Sequence, residues 1–327
     1  MIKKPLISVI IPVYNVEKYI EKSITSVKEQ IYDNFEAIII NDGSTDNSIL
    51  IAQKIIENDN RFVILNKKNG GLSSARNLGI NTSIGEFITF LDSDDYLEPS
   101  FLDDMVKHIN DGVDIISCNI NNVLENGETI SHFISPFQGL YFSKDIFDSA
   151  IESTKISCVA WGKLYRRTLF IKNNLLYKEG ILYEDFPITY ILFYHSIKVY
   201  FEKKSLINYV QRDLSITKKF NPKIIDDSYW SICDMKRFLN EKNIFYQYEK
   251  NFNNAYLVHY VYRIAKLSVM HGQNINYLDE FKKNLNKNIF TFKNTLLLFK
   301  KNKKIGSALF LLKLNTLLFY SLVKLKA

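Results

Sequence analysis

Apolar residues in the first hundred positions fall in short unbroken runs separated by polar clusters. Leu6-Ile-Ser-Val-Ile-Ile11 is one such run, and its length and β-branching predict a strand buried on both faces, of the parallel kind. Pro12-Val-Tyr14-Asn15 ends it, and helical spacing of apolar positions follows from Val16 to Gln30. Phe35 to Ile40 predicts a second buried strand, closed by Asn41-Asp42-Gly43-Ser44-Thr45-Asp46. Thr45 or Asp46 can cap the next helix, which runs to Glu57. Phe62 to Leu65 predicts a third strand, Asn69-Gly70-Gly71 a turn, Leu72 to Asn81 a helix, and Phe87 to Leu91 a fourth strand. Strands alternating with helices at this spacing predict an α/β fold, doubly wound around a mostly parallel sheet.

Beyond this repeat, Pro99 to Asn110 reads as a helix, Val113 to Cys118 as a strand, and the polar stretch Asn119 to Pro136 as a hairpin or loop over the site. Ser143 to Glu152 is helical in pattern, while Ile197 to Phe201 and Leu206 to Val210 read as two short strands. From Asn221 the period is helical throughout: Ile224 to Lys242, Tyr246 to His271, Leu278 to Lys287 and Thr295 to Lys326. The reading therefore divides the chain into an α/β unit, residues 1–217, and a helical C-terminal appendage, residues 218–327.

Charge sharpens that division. Residues 1–217 carry 22 Lys and Arg against 28 Asp and Glu, 22 − 28 = −6, and residues 218–327 carry 20 against 7, 20 − 7 = +13, which together give the net +7. No acidic residue follows Glu280. A basic tail behind an acidic body predicts different partners for the two parts, with an anionic surface suited to the tail. Three scattered cysteines, Cys118, Cys158 and Cys233, fit a reducing compartment, and the N-terminus lacks an apolar signal core, so a cytoplasmic location is expected.

The chemistry concentrates where strands end. Leu91-Asp92-Ser93-Asp94-Asp95 puts three carboxylates in four positions at a strand tip. Asp92 and Asp94 can turn to one side as hard oxygen ligands for Mg²⁺ or Mn²⁺, while Asp94 or Asp95 can equally cap a helix near Pro99. In doubly wound sheets ligands bind beyond the carboxyl ends of the strands, so Pro12–Asn15, Asn41–Asp46 and Asp92–Asp95 converge on one crevice. There is no Gly-x-Gly-x-x-Gly and no Walker A sequence. A nucleotide diphosphate held there needs another source of positive charge, which a metal on Asp92 and Asp94 supplies.

Pro12-Val-Tyr-Asn15, Asn41-Asp-Gly-Ser-Thr-Asp-Asn-Ser48, Asn69-Gly-Gly-Leu-Ser-Ser-Ala-Arg-Asn-Leu-Gly79 and Leu91-Asp-Ser-Asp-Asp95, in that order and spacing, resemble glycosyltransferase family 2. The resemblance covers about the first 215 residues. It implies the GT-A fold and a nucleotide-sugar donor. It further implies that Tyr14 stacks on the base, Asp42 meets the base N–H edge, Arg76 sits near the base or diphosphate, Asp92 lies near the ribose and metal, and Asp94 ligates the metal. Pro12, Asn15, Asn69 and Ser93 belong to the same clusters and are counted with that site. Trp161-Gly-Lys163 is implied to line the donor-sugar and acceptor region. Glu184-Asp185, before Pro187, suits a helix start on its own, and the resemblance places the general base at Asp185 with Glu184 beside the acceptor. Arg212, with Ser215 after it, is implied to clamp the diphosphate.

The expected activity is thus inverting, metal-dependent transfer of a sugar, most simply from a UDP donor, to a saccharide acceptor that is lipid-linked and belongs to surface polysaccharide synthesis. A nucleotidylyltransferase is the first rival, since it also joins an α/β sheet to a carboxylate-held metal, but it calls for a Gly-rich basic first loop that Pro12–Asn15 is not. A non-catalytic sugar-binding scaffold is the second. Nothing points to a nucleic-acid partner. The tail from Lys300 to Leu325 is apolar but broken by Lys313, Asn315 and Lys324, too interrupted to span a bilayer. It suits either a peripheral place on an anionic membrane face or a packed terminal helix, on the domain or in a homo-oligomer seam.

Overall fold

A computed structural model describes residues 4–109, 112–212 and 221–325. Met1–Ala150, Lys155–Gly180 and Glu184–Asp213 form one compact unit, and Ile151–Thr154, Ile181–Tyr183 and Leu214–Ala327 a second. The expected boundary at residue 217 lies outside the described residues, as does Ser215.

The first unit alternates strands and helices. In chain order come β1 (Ile7–Val13), α1 (Ile20–Lys28), β2 (Phe35–Asn41), α2 (Ser48–Ile55), β3 (Phe62–Asn66), α3 (Leu72–Thr82), β4 (Phe87–Phe90), β5 (Tyr96–Leu97), α4 (Phe101–Val106), β6 (Ile115–Leu124), β7 (Thr129–Phe133), β8 (Gly139–Phe142), α5 (Ser143–Glu152), β9 (Lys163–Arg166), α6 (Thr168–Lys172), α7 (Asp185–His195) and β10 (Lys198–Gln211). The described strands join in one sheet of order β3-β2-β1-β4-β9-β6-β10-β5, with β7 on β6 and β8 on β10. The β3-β2-β1-β4 half is parallel, as the unbroken apolar runs require, and every residue of β1 is buried. β9 then enters antiparallel to both β4 and β6. Asn119 to Pro136 is a hairpin, β6 pairing with β7.

Among the differences from the sequence reading, two in the first unit have a plain local cause. The helix expected from Val16 begins at Ile20, because side chains of the next loop take the N–H groups ahead of it: Ser48 Oγ accepts from Val16 (2.8 Å) and Asp46 Oδ2 from Glu17 (3.0 Å). The two short strands at Ile197 and Leu206 are one, β10, whose pairing with β6 shifts register between Phe201 and Ile207. There Glu202 Oε1 accepts from the Lys204 N–H (3.0 Å), a bulge that absorbs the polar Glu202-Lys-Lys204 step without ending the strand.

The second unit is helical: α8 (Lys223–Glu241), α9 (Phe245–Ala255), a π-helical turn over Tyr256–Tyr262, α10 (Arg263–Met270), α11 (Ile275–Lys283), α12 (Phe292–Lys301), α13 (Lys303–Leu314) and α14 (Thr316–Lys324). A buried carboxylate anchors it. Glu152 Oε1 accepts from Asn251 (2.6 Å), Asn254 (2.9 Å) and Lys301 (2.6 Å), and the Glu152 carbonyl bonds His259 Nε2 (2.8 Å). Burial holds that imidazole neutral, its pKa down to about 3. The single helix expected from Thr295 to Lys326 is three helices. Asn302 and Asn315 adopt extended backbone, and their side chains cap α13 and α14, Asn302 from the Ile305 N–H and Asn315 from those of Leu317 and Leu318. No helix among the described residues is long and apolar enough to cross a membrane.

Close approach of α3 to β1 depends on Gly79, where an added Cβ would lie 2.3 Å from Ile10 Cγ2. That methyl is fixed on a β-branched, fully buried side chain. Gly79→Ala should therefore lower stability, overpacking of about 1–3 kcal/mol exceeding the roughly 1 kcal/mol of helix propensity gained. Urea denaturation checks it, and a variant as stable as the parent would refute the tight helix–sheet contact.

Candidate active site

Because β1, β2 and β4 are parallel neighbours, their carboxyl ends open on the same edge of the sheet. Beyond β1, Asn15 adopts a left-handed φ of 50° and is pinned there, its Oδ1 accepting from the Thr45 N–H at 2.8 Å. Tyr14 consequently faces solvent, 50% exposed, with its ring available for stacking. Pro12 is buried inside β1 and shapes the strand end rather than offering a surface.

Asp42, at the end of β2, is 3% exposed and already committed. Its Oδ1 accepts from the Gly70 N–H (2.9 Å) and Lys67 Nζ (2.5 Å), and its Oδ2 from the Gly71 N–H (2.8 Å). This carboxylate holds the glycine turn before α3 and fixes its position. Asn69 lies exposed in that turn, and its backbone nitrogen would be 2.9 Å from a Cβ at Gly43, which has φ 75°. Any side chain at Gly43 would push the two loops apart.

The acid cluster follows β4. One carboxylate oxygen each from Asp92, Asp94 and Asp95 lies within 4.8 Å of the others. Neither Asp94 nor Asp95 caps a helix: the nearest, α4, has Ser100 at its N-cap and no side-chain cap. Asp95 is 1% exposed, with Oδ1 accepting from the Val210 N–H (2.8 Å) and Oδ2 bonded to nothing. Burial, then the charges of Asp94 and Asp92, push its pKa well above the carboxylate range, and burial with Asp92 raises that of Asp94. Three crowded hard oxygens, one of them orphaned, fit a divalent cation. Ser93 between them is buried.

Arg76 ties this cluster to a second pair of acids. It is 1% exposed on α3, and its guanidinium spans three carboxylates: Nη2 donates to Asp92 Oδ1 (2.8 Å), and Nη1 donates to Glu184 Oε1 and Asp185 Oδ1 (2.7 Å each). The guanidinium also lies 5.2 Å from the centre of the Tyr177 ring. Burial works against its charge, and Asp185, Asp92 and Glu184 more than offset that, holding it protonated. Tyr177 is set by Asn77, one position along α3, whose amide both donates to the Tyr177 carbonyl (2.9 Å) and accepts from its N–H (2.8 Å). Asp185 opens α7, and its carboxyl is raised to about 7 by burial, with Arg76 opposing and Glu184 and Asp92 adding to the rise.

Three further expected residues surround this network. Lys163 is 1% exposed, donates to the Val159 carbonyl (2.7 Å), and is pulled by burial to about 8, against the charges of Cys158 and Asp185. Trp161 is buried with its ring 5.3 Å from that of Tyr209. Arg212, at the end of β10, pairs with Asp94 and lies 5.1 Å from the Tyr19 ring centre.

The model of a known family, glycosyl transferase family 2, matches residues 8–173. EpsH of Bacillus subtilis (strain 168), which carries a glycosyltransferase name, is 32% identical over 260 residues, covering 78% of this chain and 75% of that protein. The chain belongs to glycosyl transferase family 2. Some other relatives extend well beyond the match, which is 63% of one and 32% of another. Among solved structures, residues 1–349 of Staphylococcus aureus TarS in complex with UDP-GlcNAc superpose with a TM-score of 0.67 at 19% identity, over 97% of this chain and 90% of that one. The mannosyltransferase PcManGT of Pyrobaculum calidifontis, in complex with GDP-Man and Mn²⁺, gives 0.56 at 14% identity, over 99% and 88%. The fold is GT-A, with the C-terminal helices added.

In this glycosyltransferase the sequence reading found the residues that converge but not all their partners. Arg76 is a buried bridge between acids, with three carboxylates taking up its Nη1 and Nη2. Lys67, Asn77 and Tyr177 went unassigned, and Asp95 was read only as part of the acid cluster or as a helix cap. For Lys67 the signal was its place just ahead of the Asn69–Gly79 motif and for Asn77 its place within it; Tyr177 lies in an irregular stretch with no local signal. Removing the bridge leaves three buried or half-buried acids without a counter-charge. Arg76→Ala should destabilise the chain by about 3–5 kcal/mol, and Arg76→Lys should recover only part because an ammonium cannot fork. Denaturant midpoints measure both; a stable Arg76→Ala variant would show that the acids are neutral without it.

Proposed function

We propose that this glycosyltransferase inverts configuration as it moves a sugar from a nucleotide donor, UDP-linked, to a hydroxyl of a saccharide acceptor. The observation that carries the reading is the single guanidinium joining Asp92, in the acid cluster, to Asp185, a separate carboxyl held near neutrality. Inversion needs one base apart from the groups that face the leaving diphosphate, and this arrangement provides it.

Asp185 takes the acceptor hydroxyl proton as that oxygen attacks the anomeric carbon. Arg76 keeps Asp185 in place, and its charge opposes the rise that burial causes, so the carboxyl is ionised above about pH 7. Tyr14 stacks on the base, and Asp42 acts one step back by locating the glycine turn. Asp92 and Asp94, with Asp95 behind them, hold a divalent cation, Mn²⁺ or Mg²⁺, which when bound supplies positive charge to the departing diphosphate. Arg212 adds a second cation at the same place. Support for a nucleotide-sugar donor and for Mn²⁺ comes from the folds that this chain resembles, solved with UDP-GlcNAc and with GDP-Man and Mn²⁺. A lipid-linked acceptor from surface polysaccharide synthesis suits a chain whose last helices expose Leu296, Leu314, Leu317 and Leu318 among lysines, a composition fitted to the face of an anionic membrane.

Three measurements test this. Asp94→Ala should abolish the Mn²⁺-dependent part of UDP binding in calorimetry while the thermal midpoint holds; unchanged metal dependence sinks the assignment. Asp185→Asn should keep UDP-sugar binding and lose roughly 10²–10⁴-fold in transfer, the usual worth of a general base. For the parent enzyme the sign is set by the raised carboxyl: the base is active only when ionised, so kcat/KM should fall as pH drops through about 7. A profile flat down to pH about 5, near the ordinary carboxylate range, would show that the base is not a carboxyl with a raised pKa.

A further inference from the structure

The second unit contains a cavity of about 450 Å³ whose lining includes Lys282, Lys283, Lys287, Lys313, Asp279 and Phe290. Four ammonium groups face one carboxylate, and that carboxylate is engaged, Asp279 Oδ1 accepting from Thr316 Oγ1 at 2.5 Å. Among the described residues none of the four lysines has an acid within ion-pair distance; Lys282 reaches only the Thr316 hydroxyl (3.5 Å), and Lys313 lies 4.8 Å from the Phe290 ring centre. Lys282 is half-buried, and burial lowers its pKa, Asp279 opposing and Lys313 adding to the fall. Like charges gathered in a recess without counter-ions are costly unless an anion completes them.

The walls narrow the choice of anion. Phe290 and Leu285 are 2% and 4% exposed and give the recess an apolar side, while the cations are lysines, compact point charges suited to the spread charge of a phosphate. Leu314, Leu317 and Leu318 follow Lys313 in the chain and are 59%, 53% and 49% exposed. We propose that this cavity binds a phosphate or diphosphate group, and that the leucines beside it favour one carried at the end of a lipid. The site lies within the C-terminal helices and does not depend on the transfer chemistry.

The test uses the full chain with chelator present, so that the acid cluster contributes no metal-bound phosphate. Inorganic pyrophosphate is titrated by calorimetry, and phosphatidylcholine vesicles with and without phosphatidic acid are assayed by co-sedimentation. Lys282→Gln with Lys313→Gln should weaken phosphate binding about tenfold, the loss expected when charge-assisted bonds are removed. Lys293→Gln with Lys300→Gln, the same charge loss on α12 outside the cavity, should leave it unchanged. Loss in the vesicle arm assigns the lipid phosphate; loss with pyrophosphate alone keeps the site and overturns the lipid source. Equal weakening by both pairs, or no phosphate binding in either arm, overturns the site itself. Amine-reactive labelling of the parent chain gives a reading independent of how the variants fold: the bound phosphate should shield Lys282 and Lys313 but not Lys293, and equal labelling of all three rejects the cavity.

Discussion

A guanidinium removed from water on three sides by carboxylates sets the geometry of this enzyme. Arg76 is carried on α3, which Gly79 allows to lie close on β1, and its two terminal nitrogens reach acids more than a hundred residues downstream as well as Asp92 nearby. Such a network is costly to bury, and replacing a buried ion group with apolar residues is often neutral for stability. Its retention here is better explained by placement. A forked, planar cation fixes the spacing between Asp92 and Asp185, which apolar packing could not do with the same directionality.

The parallel half of the sheet was legible because β1, β2 and β4 are buried on both faces and so are written as nearly unbroken apolar runs, and the edge strand β3 keeps an apolar run although Val63 is exposed. β9 was not: Lys163-Leu-Tyr-Arg166 is short and has a lysine and an arginine at its ends, the one buried against the Val159 carbonyl and the other paired with Glu86 and Asp114. The site was legible as a set of polar clusters at strand ends, and the four motifs in register identified the family. What remained hidden is long-range pairing. Nothing local in the chain tells that Asp42 turns to the Gly70 and Gly71 amides, or that Arg76 is met by Glu184 and Asp185, since those partners are fixed by the packing of α3 and α7.

The C-terminal helices illustrate a limit of periodicity. The apolar run from Thr295 onward has helical spacing almost throughout, yet asparagine competes with the helix through its side chain, and at Asn302 and Asn315 that competition ends one helix and begins the next. Shortening the segments turns apolar positions in several directions instead of along one stripe, which is why Leu296, Leu314, Leu317 and Leu318 are exposed while Leu309, Leu312 and Phe319 are buried.

The charges around Arg76 also constrain how a donor can bind. Asp92, Asp94, Asp95, Glu184 and Asp185 stand against Arg76, Arg212 and Lys163 as the described cations of this neighbourhood, and Arg76 and Arg212 are already spent on Asp92, Asp185, Glu184 and Asp94. Burial opposes the excess of negative charge by raising Asp94, Asp95 and Asp185. On the proposed reading, a nucleotide diphosphate arriving alone would meet carboxylates, with Arg76 and Arg212 both already paired to acids. A divalent cation, which Asp92, Asp94 and Asp95 would hold, would supply at that place the positive charge that Arg212, paired with Asp94, does not leave free. On the reading proposed above, metal and donor binding are therefore coupled through the same three aspartates, each strengthening the other by one free energy.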